Sequence, residues 1–154
     1  MTFTLQLATI TSAIAGLTIS GVTIKDTNLI AESWKSLPAV LYPNPNADGF
    51  ITGFNIEYEK YISDLLSPIT ASYDLHYRYL DSQIGDMANF SAAYGQVATR
   101  LATILNALVE AANDVADIDI KVGEVSIGNK QDPAGNQYHG ADFALNIVER
   151  YKDL

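Results

Sequence analysis

Seven apolar residues, Met87, Phe90, Tyr94, Val97, Leu101, Ile104 and Leu108, step along the chain by 3, 4, 3, 4, 3 and 4. Only an α-helix gathers that spacing into one continuous stripe. The pattern predicts a helix over residues 86–112, roughly 40 Å long at the usual rise per residue, with Asp86 or Asn89 as its N-cap. The remaining faces are built of Ala, Ser, Thr, Gln and Asn, with Arg100 the one base and Glu110 the one acid before Asp114. A two-stranded coiled coil needs flanking charges to choose its partner. Those are missing, so docking on a sheet is expected.

The sheet is legible in alternation. Residues 69–80 place Tyr73, Leu75, Tyr77 and Tyr79 on one side and Asp74, His76 and Arg78 on the other. The closing stretch from Tyr138 to Tyr151 does the same, with Ala141, Phe143, Leu145 and Ile147 inward and Asp142, Asn146 and Arg150 outward. Residues 50–61 read as one unbroken alternation, with Phe50, Phe54, Ile56 and Tyr58 (and Thr52 among them) against Asn55, Glu57 and Glu59. The connector 63–68 exceeds a two-residue hairpin but can still join its flanking strands antiparallel. One apolar and one polar side per strand is the mark of a sheet covered on one side only. Ile118, Ile120 and Val122 alternate as well, and the phase slips by one residue at Gly123 to reach Val125 and Ile127, as at a β-bulge. Gly128–Asn136 reads as a long polar loop, and Asn44–Gly49 as a turn-rich one. Leu37 to Pro43 reads as a strand with proline near each end, suited to an edge.

Lys25 is the first charged side chain. Residues 3–17 place Leu7, Ile10, Ile14 and Leu17 on one helical face, and the opposite face is polar without charge. Such a stripe is read first as a helix packed on its own domain. Because a solvent-facing helix normally carries Lys and Glu, the sharper reading is that a neighbouring subunit covers its neutral outer face. The basic start of a secretory leader is missing, and nine Thr, Ser and Gln residues interrupt any span. Val22–Ile24 is a short extended piece after Gly21. Helix, strands, long helix and strands, in clusters rather than in alternation, predict a single α+β domain over 1–154. An antiparallel or mixed sheet would carry an N-terminal helix and one long helix on one face.

The chemistry is sparse. The absence of cysteine excludes disulfides, thiol nucleophiles and zinc-thiolate or iron–sulfur sites. Nine bases against eighteen acids give a charge of −9, the wrong sign for holding nucleic acid or an anionic membrane. His76 and His139 lack helical metal-ligand spacing and are expected at the surface. Ser91 or Ser126 could join a histidine on paper, yet no Gly-x-Ser-x-Gly elbow exists to expose the nucleophile. Asn44–Gly49 echoes the start of a calcium loop, but the twelfth position is Asn55 rather than a bidentate Glu. No cofactor, metal or catalytic site is expected. Tyr42, Tyr58, Tyr61, Tyr138 and Tyr151 cluster at strand ends, and tyrosine is enriched where proteins meet.

An N-terminal helix, a strand opening with Leu37-Pro38-Ala39-Val40, a long hairpin, one long helix and closing strands ending in Gly140-Ala141-x-Phe143-x-Leu145-x-Ile147 form a recognisable layout. It resembles that of the tail terminator, or tail completion, proteins of tailed bacteriophages. The resemblance implies a non-enzymatic virion protein of the tail or neck, assembled in the host cytoplasm as a six-fold ring. The ring would cap the head-proximal end of the tail tube, stop its polymerisation and dock the head connector. Its partners would be copies of itself, the tail tube protein and head-tail connector proteins, with no membrane. DNA would pass through the lumen without specific binding. Under this resemblance Glu57, Glu59 and Asp74 are candidates to face the lumen, and Leu7, Tyr138 and Tyr151 are candidate contacts between subunits. The alternatives are another neck component, or a small-molecule-binding α+β domain recognisable by a concave apolar pocket.

Overall fold

Two fifteen-residue strands, Ile69–Gln83 and Gln137–Tyr151, run antiparallel down the middle of the molecule. The structure is a computed structural model and describes residues 4–25, 39–43, 49–58, 69–83, 90–113 and 118–151. In chain order the elements are α1 (Leu7–Ala15), β1 (Thr23–Ile24), β2 (Val40–Pro43), β3 (Ile51–Tyr58), β4 (Ile69–Gln83), α2 (Phe90–Asn113), β5 (Ile118–Val122), β6 (Ser126–Gln131) and β7 (Gln137–Tyr151). They form an α+β fold with a mixed seven-stranded sheet. β2 and β3 share the outer edge of β4, both antiparallel to it, and β1 adds to β2 in parallel. β5 and β6 likewise share the outer edge of β7.

The alternation in β4 and β7 explains the layering. Registers Tyr73↔Ile147, Leu75↔Leu145, Tyr77↔Phe143 and Tyr79↔Ala141 stack every inward residue beside an inward partner. All eight are buried, and Tyr77 and Phe143 stack with centroids 6.0 Å apart. Val97, Leu101, Ile104 and Leu108 of α2 and Ile10 and Ile14 of α1 close this core. Each such side chain contributes about 1.5–3 kcal/mol by leaving water.

The helix stripe is shifted at its start. Ala93 is fully buried where Tyr94 was expected, and Tyr94 is 44% exposed. The small Ala93 lets α2 approach the sheet, while Tyr94 leans edge-on towards His139 with centroids 6.5 Å apart. Met87, the cap candidates Asp86 and Asn89, the loop 44–48 and the connector 63–68 lie outside the described residues. α1 is shorter than expected: Leu17 follows Gly16 and packs on the core without being helical.

Two bulges re-aim side chains. In β3 the register slips between Thr52 and Asn55, where Gly53 holds φ +62. Thr52 is thereby turned to the polar side, against its expected grouping with Phe54 and Ile56, and Ile51 opposite Leu75 takes the apolar side. A glycine in the left-handed region inserts one residue and reverses the phase. In β4 the slip between Leu80 and Ser82 inserts Asp81. The expected irregularity at Gly123 is present: the pairs change from Val122↔Leu145 to Ser126↔Asp142, one residue extra on the β5–β6 side.

The expected loop Gly128–Asn136 is mostly a hairpin, because Ser126–Gln131 pairs with Gln137–Asp142 as β6. Its polar sequence lacks alternation, and the turn chemistry makes the strand. The buried Asp132 carboxylate accepts the backbone amides of Ala134 and Asn136 at 3.0 and 2.9 Å, the Asn136 side-chain amide at 2.8 Å and the Tyr138 hydroxyl at 3.0 Å. Asn, Asp, Pro and Gly in such a turn form a self-bonded cap. Val40, Tyr42, Leu80 and Tyr138 make a second, small apolar cluster.

Candidate functional site

The polar side of the sheet is where the sequence directs attention to charge. Glu57 is exposed opposite Thr70, and Asp74 lies between Thr52 and Asn146, accepting the Asn146 amide at 2.5 Å. The registers place both acids on the same side of the sheet. Glu59 lies outside the described residues. The surface around them is not uniformly acidic. Arg78 clamps Asp142 through two bonds, Nε at 2.7 Å and Nη2 at 3.0 Å. Lys130 reaches the same carboxylate at 3.5 Å, and Arg150 pairs with Asp119. The bond to Asp142 holds the Arg78 guanidinium above its ordinary pKa. Among the described residues this side is close to charge balance.

Part of the acidic excess is used inside the molecule. Asp81, Asp132 and Glu149 are buried. Asp81, brought inward by the β4 bulge, accepts the Tyr79 hydroxyl, the Gln96 amide at 2.7 Å and Arg100 at 3.1 Å, and so ties β4 to α2. Glu149 accepts the Gln6 backbone amide at 2.7 Å, beside the first turn of α1 where unpaired amides and the helix dipole favour an anion.

The residues of a serine-type relay come near one another without forming one. His76, Ser126 and Asp142 line a shallow groove of about 460 Å³ at the Gly123 bulge. His76 Nε2 and the Thr52 hydroxyl share a bond of 2.6 Å, Asp142 is taken by Arg78 and Lys130, and Ser126 Oγ accepts from Lys130 at 3.4 Å. The histidines are not simple surface groups: His139 is buried beneath Tyr94, and His76 is half-buried. Among the described residues no three His, Asp or Glu side chains converge as metal ligands. A cleft of about 330 Å³ lies between α2 and the turn 19–22, and Arg100 on its wall is engaged with Asp81.

The subunit-contact candidates part company. Leu7 is half-buried against the core. Tyr138 is 3% exposed, so its ring is used within the chain, under the Asp132 turn. Tyr151 ends β7 opposite Ile69. Burial pushes the hydroxyls of Tyr42, Tyr77, Tyr79 and Tyr138 above the ordinary tyrosine pKa, and Arg78 offsets part of this at Tyr42.

What sequence reading missed is the exposure of the apolar side of β3. No described strand pairs with its outer edge. Ile51, Phe54 and Ile56 are 37%, 46% and 49% exposed, although they lie on the helix-bearing side of the sheet. Phe54 stacks on Tyr73 with centroids 5.7 Å apart and leaves its other side open. Both helices add neutral exposed surface: Ala8, Thr9 and Ser12 on α1, and Ala98, Thr99, Ala102, Thr103 and Asn106 on α2. Charge-poor surface with apolar anchors has the composition of an interface centre. The alternation Phe54-x-Ile56 was visible in the sequence, but nothing local says that the helices stop short of it. No protein-family model matches the chain, and a search of curated proteins finds no match.

Proposed function

We propose that this chain is a structural virion subunit of the tail terminator kind. In this reading copies assemble into a ring that caps the head-proximal end of a phage tail tube, stops its growth and receives the head connector, while DNA passes through unbound. The observation that carries the assembling role is the outer edge of β3 with Ile51, Phe54 and Ile56 in water. An isolated subunit would guard such an edge with lysine, proline or a covering element. The bulge at Gly53 bends this strand without covering those side chains. The charge-poor helix surfaces and the layout of elements support the same reading. The near balance of charge on the polar side suits a wall past which a polyanion slides, since a basic wall would hold it.

The test is tail-tube polymerisation in vitro with and without the purified chain. Tubes that end at a ring of this protein and elongate no further from that end support the terminator. Unrestrained tubes, with the chain attached only to connector proteins, assign it to another place in the neck. A chain that binds neither overturns the proposal.

A further inference from the structure

In the half of the sheet where β3 pairs with β4, the strands run β3-β4-β7-β5, and the outer edges of β3 and β5 are complementary. No described strand pairs with the outer edge of either. Each edge carries one exposed charge that makes no ion pair with another described residue, Glu57 on β3 and Lys121 on β5. The other charge on β5, Asp119, is already met by Arg150. Glu57 lies opposite Thr70 and Lys121 opposite Asn146, which places both on the polar side of the sheet. On the helix side β3 exposes Phe54 and Ile56, and β5 carries Ile120 and Val122, half-buried against the core.

We infer that β3 of one subunit adds to β5 of the next, continuing the sheet from copy to copy. This rests on the reading of the chain as an assembling subunit and names its partner surface. β4 is antiparallel to β3 and to β7, and β7 is antiparallel to β5, so β3 and β5 run in opposite directions within one chain. A rotation about an axis along the strands preserves both directions, and the new pair is therefore antiparallel. Setting Lys121 opposite Glu57 puts Val122 opposite Ile56 on the other side, so charge meets charge and apolar meets apolar in the same register. The two surfaces differ, which makes the contact heterologous and lets it close as a ring rather than a two-fold pair.

Charge reversal tests the pairing, with association of the full chain read by sedimentation velocity. Glu57→Lys alone and Lys121→Glu alone each set like charges opposite one another and are expected to weaken association about five- to tenfold per contact. The double variant restores opposite charges and is expected to assemble as the unaltered chain does. An equimolar mixture of the two single variants regains association too, because each free edge finds its complement on the other variant. If Glu57→Lys weakens association while Lys121→Glu does not, β3 pairs elsewhere and the inference fails, with the assembling role intact. If the double variant stays as weak as the singles, the inference fails as well. Charge rescue in a ring that does not cap tubes retains this contact and removes the terminator role.

Discussion

The Tyr73 hydroxyl donates to Glu149 at 2.5 Å beneath the helices, joining β4 to β7 at a buried carboxylate. The other oxygen of that carboxylate holds the Gln6 amide ahead of α1. Tyr73→Phe removes one donor and leaves the charge under-satisfied out of reach of water. Urea unfolding is expected to show a loss of about 1.5–3 kcal/mol with an unchanged m-value. A loss below about 0.5 kcal/mol would mean that the bond contributes little net stability.

Asp81 and Arg100 offer an asymmetric pair. The aspartate side chain is 0% exposed and serves three donors, whereas the arginine is 53% exposed. Asp81→Ala strands Tyr79 and Gln96 and is expected to cost about 2–4 kcal/mol. Arg100→Ala removes a solvent-screened partner and is expected to cost about 1 kcal/mol or less. A double-mutant cycle between the two sites is the check, and equal single effects would contradict the burial argument.

Gly140, paired with Leu80, leaves no room for a side chain between the central strands. A Cβ there would lie 2.2 Å from the Tyr79 carbonyl oxygen, a backbone atom that cannot rotate away. Gly140→Ala must therefore part β4 from β7 beside the Asp81 bulge. Thermal unfolding is expected to show a destabilisation of about 3 kcal/mol or more. Gly128→Ala, with open space around its Cβ position, is the control expected to stay close to neutral.

Much of this was legible beforehand, for definite physical reasons. The residues of β4 and β7 alternate cleanly because each strand has one side on the core and one on solvent, so their faces followed from spacing alone. Their pairing with each other, across more than fifty residues of chain, had no local signal. Among the described residues the α2 stripe failed only where Ala93 replaces Tyr94, since a small residue carries little hydrophobic signal and is still fully buried. Gly53 misled more: a single residue at positive φ reverses a strand's phase, and alternation on both sides of it looks continuous. β6 was invisible beyond Ile127 because its pairing there comes from Asp132 and the turn, not from apolar side chains. The exposed β3 edge could not be foreseen, since exposure depends on where distant helices end.

Four buried tyrosines set the alkaline limit of the fold. Tyr42, Tyr77, Tyr79 and Tyr138 have raised folded-state pKa values, with loss of hydration the leading cause at each. The unfolded chain ionises near the ordinary tyrosine value of about 10. Above that pH the unfolded state binds fewer protons than the folded one, so stability falls as pH rises. The stabilisation is complete below about pH 10 and disappears as pH climbs through the folded values. Urea midpoints followed from pH 8 to 11 are expected to hold and then drop, with phenolate absorbance appearing at unfolding. A flat midpoint across that range would contradict the burial of these hydroxyls.

The mass of the purified chain in solution, by sedimentation velocity across a wide concentration range, alone and with a tail-tube protein, bears most directly on the central claim. A closed oligomer of several copies, formed alone or on the tube, is the expected result. A 16.7 kDa monomer under every condition would contradict it.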